Sequence, residues 1–106
     1  MGDRGNIEVK DGKGSVFLYS HWDGSELPKI LANALDRAPD RVDDGPYITR
    51  VIFCEMVKDD VEGTTGYGIT WGSWDRNHDD IVFDVEAGTV DGVPVAEFIR
   101  AQKEGG

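Results

Sequence analysis

Val16-Phe17-Leu18-Tyr19-Ser20-His21-Trp22-Asp23-Gly24-Ser25 is the stretch on which the fold turns, because a strand closes and a helix opens within it. Val16, Leu18 and Ser20 fall on one face of a period-two pattern, and Phe17, Tyr19 and His21 fall on the other. Both faces carry apolar mass, so the strand reads as central, with its aromatic face covered by something beyond its hairpin partner. Asp23-Gly24 is turn chemistry. Ser25 reads as a helix N-cap, with Glu26 complementing the helix dipole and Pro28 inside the tolerant first turn.

Toward the amino end, Ile7 and Val9 alternate with Glu8 and Lys10, and Asp11-Gly12-Lys13-Gly14 supplies a turn, so residues 6–20 read as a β-hairpin. Toward the carboxyl end, Leu27, Ile30, Leu31, Ala34, Leu35 and Ala38 recur at helical spacing until Pro39. A polar connector follows, then Asp44 as a cap ahead of Pro46. Tyr47–Lys58 admits two readings: a strand through Tyr47, Thr49, Val51 and Phe53, or a helix with Tyr47, Ile48, Val51 and Ile52 on its stripe. The Asp-Gly-Pro start and the length favour the helix. On that reading Cys54 is a small core hydrophobe and Glu55 a rim residue.

After an acidic connector, Thr65–Trp74 reads as a strand. Tyr67, Ile69, Trp71 and Ser73 lie on one face, and Gly66, Gly68, Thr70 and Gly72 on a bare one that another backbone could approach. Trp71 is expected to fill the core. Asp75–Asp80 reads as a hairpin loop into a last strand through Ile81, Phe83 and Val85. Residues 87–93 are a turn, and Pro94 opens a short helix whose Val95, Phe98 and Ile99 dock inward, with the end from Lys103 expected to fray. The expected order is ββααββα: an α+β fold with a mainly antiparallel four-stranded sheet and helices packed on one face. One domain spans 1–106, with an ordered core over 5–102.

Charge is the strongest global signal. The 106 residues hold 21 acidic against 11 basic ones, a formal net charge of -10, with Asp outnumbering Glu fourteen to seven. Such a chain repels phosphates, so no direct nucleic-acid binding is expected. No apolar run reaches the roughly eighteen residues of a membrane span. The single Cys54 excludes an internal disulfide, and the amino end has no hydrophobic leader, so a cytoplasmic location is expected. The dispersed acidity reads as adaptation to a salty cytoplasm, the alternative being an acidic surface that mimics a ligand of a basic partner.

The candidate chemistry gathers at element ends. His21 and Asp23, with His78 and Asp79 in the loop after Trp74, could form a metal site if the strand ends converged, but no metal-ligand spacing supports it, and neither metal nor cofactor is expected. Ser20-His21 is no dyad, since neighbouring strand side chains diverge. Gly63-Thr64-Thr65-Gly66-Tyr67-Gly68 lacks the Lys-Ser/Thr ending of a phosphate loop and leads into a strand. Trp22 and Trp74, at element ends, suit interface anchors. Phe17, Tyr19 and His21, joined by Tyr67 or Trp71, would make a face too apolar to leave wet, which a homodimer formed sheet to sheet would cover.

Val16-Phe17-Leu18-Tyr19-Ser20-His21-Trp22-Asp23-Gly24 with Leu27-Pro28, Ile52-Phe53-Cys54-Glu55-Met56 and Gly66-Tyr67-Gly68-Ile69 resembles a group of small uncharacterised proteins of archaea (haloarchaea among them), actinobacteria and their viruses. The resemblance spans roughly Gly5 to Val90 and implies no activity, cofactor or catalytic residue. The expected function is a non-enzymatic acidic interaction protein of a halophile, with encoding by a virus or mobile element left open, that binds a protein partner or itself. Its candidate contact residues are Tyr19, His21, Trp22, Asp23, Trp71, Trp74 and His78. The alternative is a small ligand-binding or hydrolytic enzyme with a cleft between the His21 loop and the Trp74–His78 loop.

Overall fold

The computed structural model describes residues 2–12, 14–74 and 76–105. Lys13 in the first turn, Asp75 at the start of the long loop, Met1 and Gly106 lie outside the described residues. Strands β1 (Gly5–Asp11) and β2 (Gly14–Ser20) form the expected hairpin, with Ile7 opposite Leu18 and Val9 opposite Val16. Helix α1 (Leu27–Arg37) and helix α2 (Gly45–Val57) follow. Then come β3 (Tyr67–Thr70), β4 (Ile81–Asp84), β5 (Thr89–Val90), β6 (Val93–Pro94) and α3 (Val95–Gly105).

The fold is α+β, but the sheet has six strands rather than four and is mixed. Its order is β3-β2-β1-β4-β5-β6, and β1 runs parallel to β4 with Ile7 beside Ile81 and Val9 beside Phe83. The expected β3–β4 hairpin is therefore absent. The chain leaves β3 at one edge and crosses over β2 and β1 before entering β4. No local spacing announces this, because the connection from β1 to its parallel partner β4 is made of four elements, β2, α1, α2 and β3, rather than one helix. Residues 87–93 are not a plain turn: β5 and β6 pair around Asp91 (φ 51) and Gly92 (φ 85), the two left-handed residues a type I′ turn demands.

Ile7, Val9, Leu18, Ile81 and Phe83 point to one side of the sheet and are closed over by Leu27, Leu31, Leu35, Ile48, Ile52 and Met56 of α1 and α2. Asp44 caps α2 by accepting from the Tyr47 N–H, so Tyr47–Lys58 is helical as far as Val57. Two side chains on α2 exchange their expected places. Cys54 is exposed, and Glu55 is buried, its carboxylate bonded to Arg37 Nη1 at 2.5 Å and Lys58 Nζ at 2.9 Å. A buried carboxylate survives only where cations reach it, and here α1 and the end of α2 deliver one each. At the carboxyl end, Val95, Phe98 and Ile99 pack against the core edge, and α3 continues through Lys103, which reaches Asp36 at 2.5 Å.

Candidate functional site

The turn after β2 is built by Ser20, which is buried and whose Oγ accepts the N–H groups of Trp22 (3.3 Å) and Asp23 (2.9 Å). Ser25 is not the helix cap. Residues Gly24–Glu26 form a short 3-10 turn, and the Ser25 N–H and Oγ–H both donate to Asp3 Oδ2, at 3.0 and 2.5 Å. The other Asp3 oxygen meets His78 Nε2 at 2.5 Å. These donors, Ser25 Oγ–H foremost and then His78, hold the Asp3 carboxyl down to about 2. The Asp3 amide donates to His21 O and its carbonyl accepts from Gly24, so the amino-terminal segment stitches the turn in place.

Aromatic rings run from this turn to β3. Tyr19 Oη lies 3.0 Å from His21 Nδ1, the His21 ring meets Trp22 edge to face at 6.0 Å, and Trp22 meets Tyr67 at 5.8 Å. Tyr67 Oη–H donates to Asp23 Oδ2 at 2.7 Å. Burial first, then this bond to a carboxylate, pushes the Tyr67 phenol up to about 12. Gly66 makes the Trp22 contact possible. It sits at φ 95, and a Cβ there would overlap the indole ring.

Because the folded pKa of Tyr67 lies above its ordinary 10.0, its contribution to stability is present below pH 10 and lost as pH rises through about 12. Asp3 behaves oppositely: its contribution is present above pH 3.8 and lost as pH falls through about 2. In a tyrosinate absorbance titration the Tyr67 phenol should ionise late, at about 12, and Tyr67→Phe should diminish that late step. A curve that Tyr67→Phe leaves unchanged at its late end would show that the Asp23 bond does not form.

The crossover between β3 and β4 passes over the sheet face opposite the helices. Asn6, fully buried, holds it there: Asn6 Oδ1 accepts the Trp74 N–H and Asn6 Nδ2 donates to Trp74 O, both at 3.2 Å. Further along, Asn77 brackets Arg4 through both a backbone and a side-chain bond. The loop thus roofs part of the aromatic face that Phe17, Tyr19 and His21 provide. Tyr67 and Trp71 do not extend that face, because Tyr67 pairs with inward-pointing Ser20, and Gly68 and Thr70 stand beside Tyr19 and Phe17 instead. Trp71 is not a core residue. It is 89% exposed, and Trp74 (61%), Ile69 (56%) and Trp22 (47%) accompany it at the surface.

The expected site residues are therefore divided. Tyr19 and Trp74 line one shallow cavity of about 230 Å³ with Gly68, Ile69 and Thr70. Asp23 faces a second with Tyr67, Lys29 and Lys58, and His78 and Asp79 line a third with Ser25 and Ile81. Among the described residues, none of these three cavities is lined by His21, Asp23 and His78 together. Among the described residues no group of three His, Cys, Asp or Glu stands close enough to hold a metal ion. Asp3, Asn6 and Gly66 organise the site, and only their partners betray them. Ile69 had a visible signal: Gly63–Trp74 is twelve residues without a charge in a chain that is 30% charged. No protein family, curated protein or solved structure matches this chain.

Proposed function

We propose that this protein is a non-enzymatic, acidic, salt-adapted interaction module, and that its contact surface is the β3 edge with Ile69, Trp71 and Trp74. The observation that carries this reading is the exposure of those three large apolar side chains along one uncharged segment. Exposed aromatic residues grouped on a charged protein mark binding surfaces, since each gains by leaving water. Asp23 and His78 line different cavities, so the cleft that the hydrolytic alternative needs is not formed by these residues together, which favours binding over hydrolysis.

The test is affinity capture from a halophilic host lysate in molar KCl with wild-type protein and with Trp71→Ser/Trp74→Ser. A species retained by the wild type and lost by the variant supports the reading, and identical captures from a wild type that is also monomeric in molar KCl overturn it. Both tryptophans are exposed, so the double variant should fold with a melting temperature close to the wild type's.

Salt adaptation has its own measurement. With a formal charge of -10, self-repulsion weakens the folded state at low ionic strength and is screened as the Debye length shrinks from about 10 Å at 0.1 M to about 3 Å at 1 M. The melting temperature should rise steadily over that range. A flat or falling melting temperature would sink this part of the reading.

A further inference from the structure

We propose that the occupant of the β3 edge is a second copy of this chain, joined strand to strand so that two six-stranded sheets become one; this rests on the interaction reading above. Among the described residues β3 pairs with β2 only, and the direction of its outward groups follows from the ladder. The His21 N–H donates to Gly66 O at 2.7 Å, which makes His21–Gly66 a hydrogen-bonded pair. Alternate pairs along the same register are therefore Tyr19–Gly68 and Phe17–Thr70. Tyr67 and Ile69 consequently turn their N–H and C=O groups away from β2, toward the open edge.

Sheets protect such edges with lysines, prolines, bulges or inward charges. Between Gly63 and Trp74 there is no lysine, proline or charge, and the β2–β3 register runs without a bulge, which leaves the four-residue length of β3 as its protection. A basic partner strand would be recognised by carboxylates along the edge, and this segment has none. Elsewhere on the surface two copies carrying -10 each repel, but here identical segments meet with no like charges opposed.

The register is also restricted. In an antiparallel two-fold pair, facing residues must lie on the same side of the continuous sheet, so the axis passes through a residue rather than between two. Centred on Ile69, the pairing sets Ile69 against the second copy's Ile69 and Trp71 against the second copy's Tyr67. Trp71, which covers nothing in its own chain, then packs across the seam beside an aromatic ring. The strand lengthens by one residue to do so. Molar salt promotes the dimer by screening everything outside the neutral seam.

The experiment uses the full chain. Light scattering over a concentration series should give monomer in about 0.1 M KCl and dimer in molar KCl. In a Cys54→Ser background, which removes the one native thiol, Ile69→Cys should oxidise to a covalent dimer in molar KCl. Facing Cα atoms in such a pair lie about 5.5 Å apart, within disulfide reach. Ile69→Lys, at a half-exposed position, should fold normally and weaken dimerisation at least tenfold. A wild type that stays monomeric in molar KCl, an Ile69→Lys variant that dimerises like the wild type, or an Ile69→Cys variant that fails to cross-link overturns the proposal. If the wild type is monomeric while Trp71-dependent capture persists, the partner is another protein and the interaction reading stands. Loss of both defeats both.

Discussion

Asn6→Ala is expected to destabilise the protein by about 2–3 kcal/mol, equivalent to a fall of roughly 10–20 °C in melting temperature for a chain of this size. Asn6 is a fully buried polar side chain, and both its donor and its acceptor are spent on the backbone of one residue, Trp74. Alanine removes both bonds, leaving the Trp74 N–H against the sheet without this partner and its C=O with only the long 3.5 Å contact from Ser73 Oγ. The loop must then lift so that water can reach them, which uncovers Tyr19. Hydrogen exchange should show the Trp74 amide losing protection. Asn6→Asp separates the two bonds. Its carboxylate can still accept from the Trp74 N–H, but its second oxygen faces the Trp74 carbonyl. Only the protonated acid suits that place, so its folded pKa is raised, and the variant should lose stability as pH rises above about 4. Urea midpoints at pH 4 and pH 7 measure the difference. An Asn6→Ala midpoint matching the wild type would show that the loop is held by something else.

Gly66→Ala carries the other large effect, about 2–4 kcal/mol, from two separable sources. The first is backbone strain, since alanine at φ 95 costs about 1–3 kcal/mol wherever its neighbours lie. The second is overlap between the new methyl and the Trp22 ring, which must move and give up its edge-to-face contact with Tyr67. A double-mutant cycle with Trp22→Ala tells them apart. Once the indole is gone, Gly66→Ala should cost only the strain, leaving a coupling of about 1 kcal/mol or more. Near-UV circular dichroism should report the displaced tryptophan in the single variant. Additive effects would mean that the ring moves aside freely.

Local pattern disclosed the local elements. The β1–β2 hairpin, the stripe of α1, the Asp44 cap of α2 and the inward side chains of α3 follow from periodicity and turn chemistry within a few residues. What escaped depends on distance. Nothing near Ile7 indicates that Ile81 will lie beside it, and with that parallel pair went the route of the crossover loop and the role of Asn6. Glu55 reads as a rim acid until Arg37 arrives from another helix to neutralise it. Cys54 is apolar by composition and exposed by helix phase, a difference of one position. Strands β5 and β6, two residues each, are too short to show alternation, although Asp91-Gly92 between them was a hairpin signal in plain view. Of the candidate site, the exposure of Trp22 and Trp74 was legible from their places at element ends. That of Trp71 was not, because alternation says which face a side chain takes but not whether anything stands over it.

The parallel pairing of β1 with β4 also sets an order of events during synthesis. About seventy residues separate the paired strands, and at roughly 5–20 residues per second the ribosome needs several seconds to supply them. Throughout that interval the nascent hairpin holds an empty slot along β1, where a strand from any neighbouring nascent chain could lodge. Glu8 and Lys10, alternating with Ile7 and Val9 along that slot, are then its guard against the wrong occupant until Ile81–Asp84 emerges.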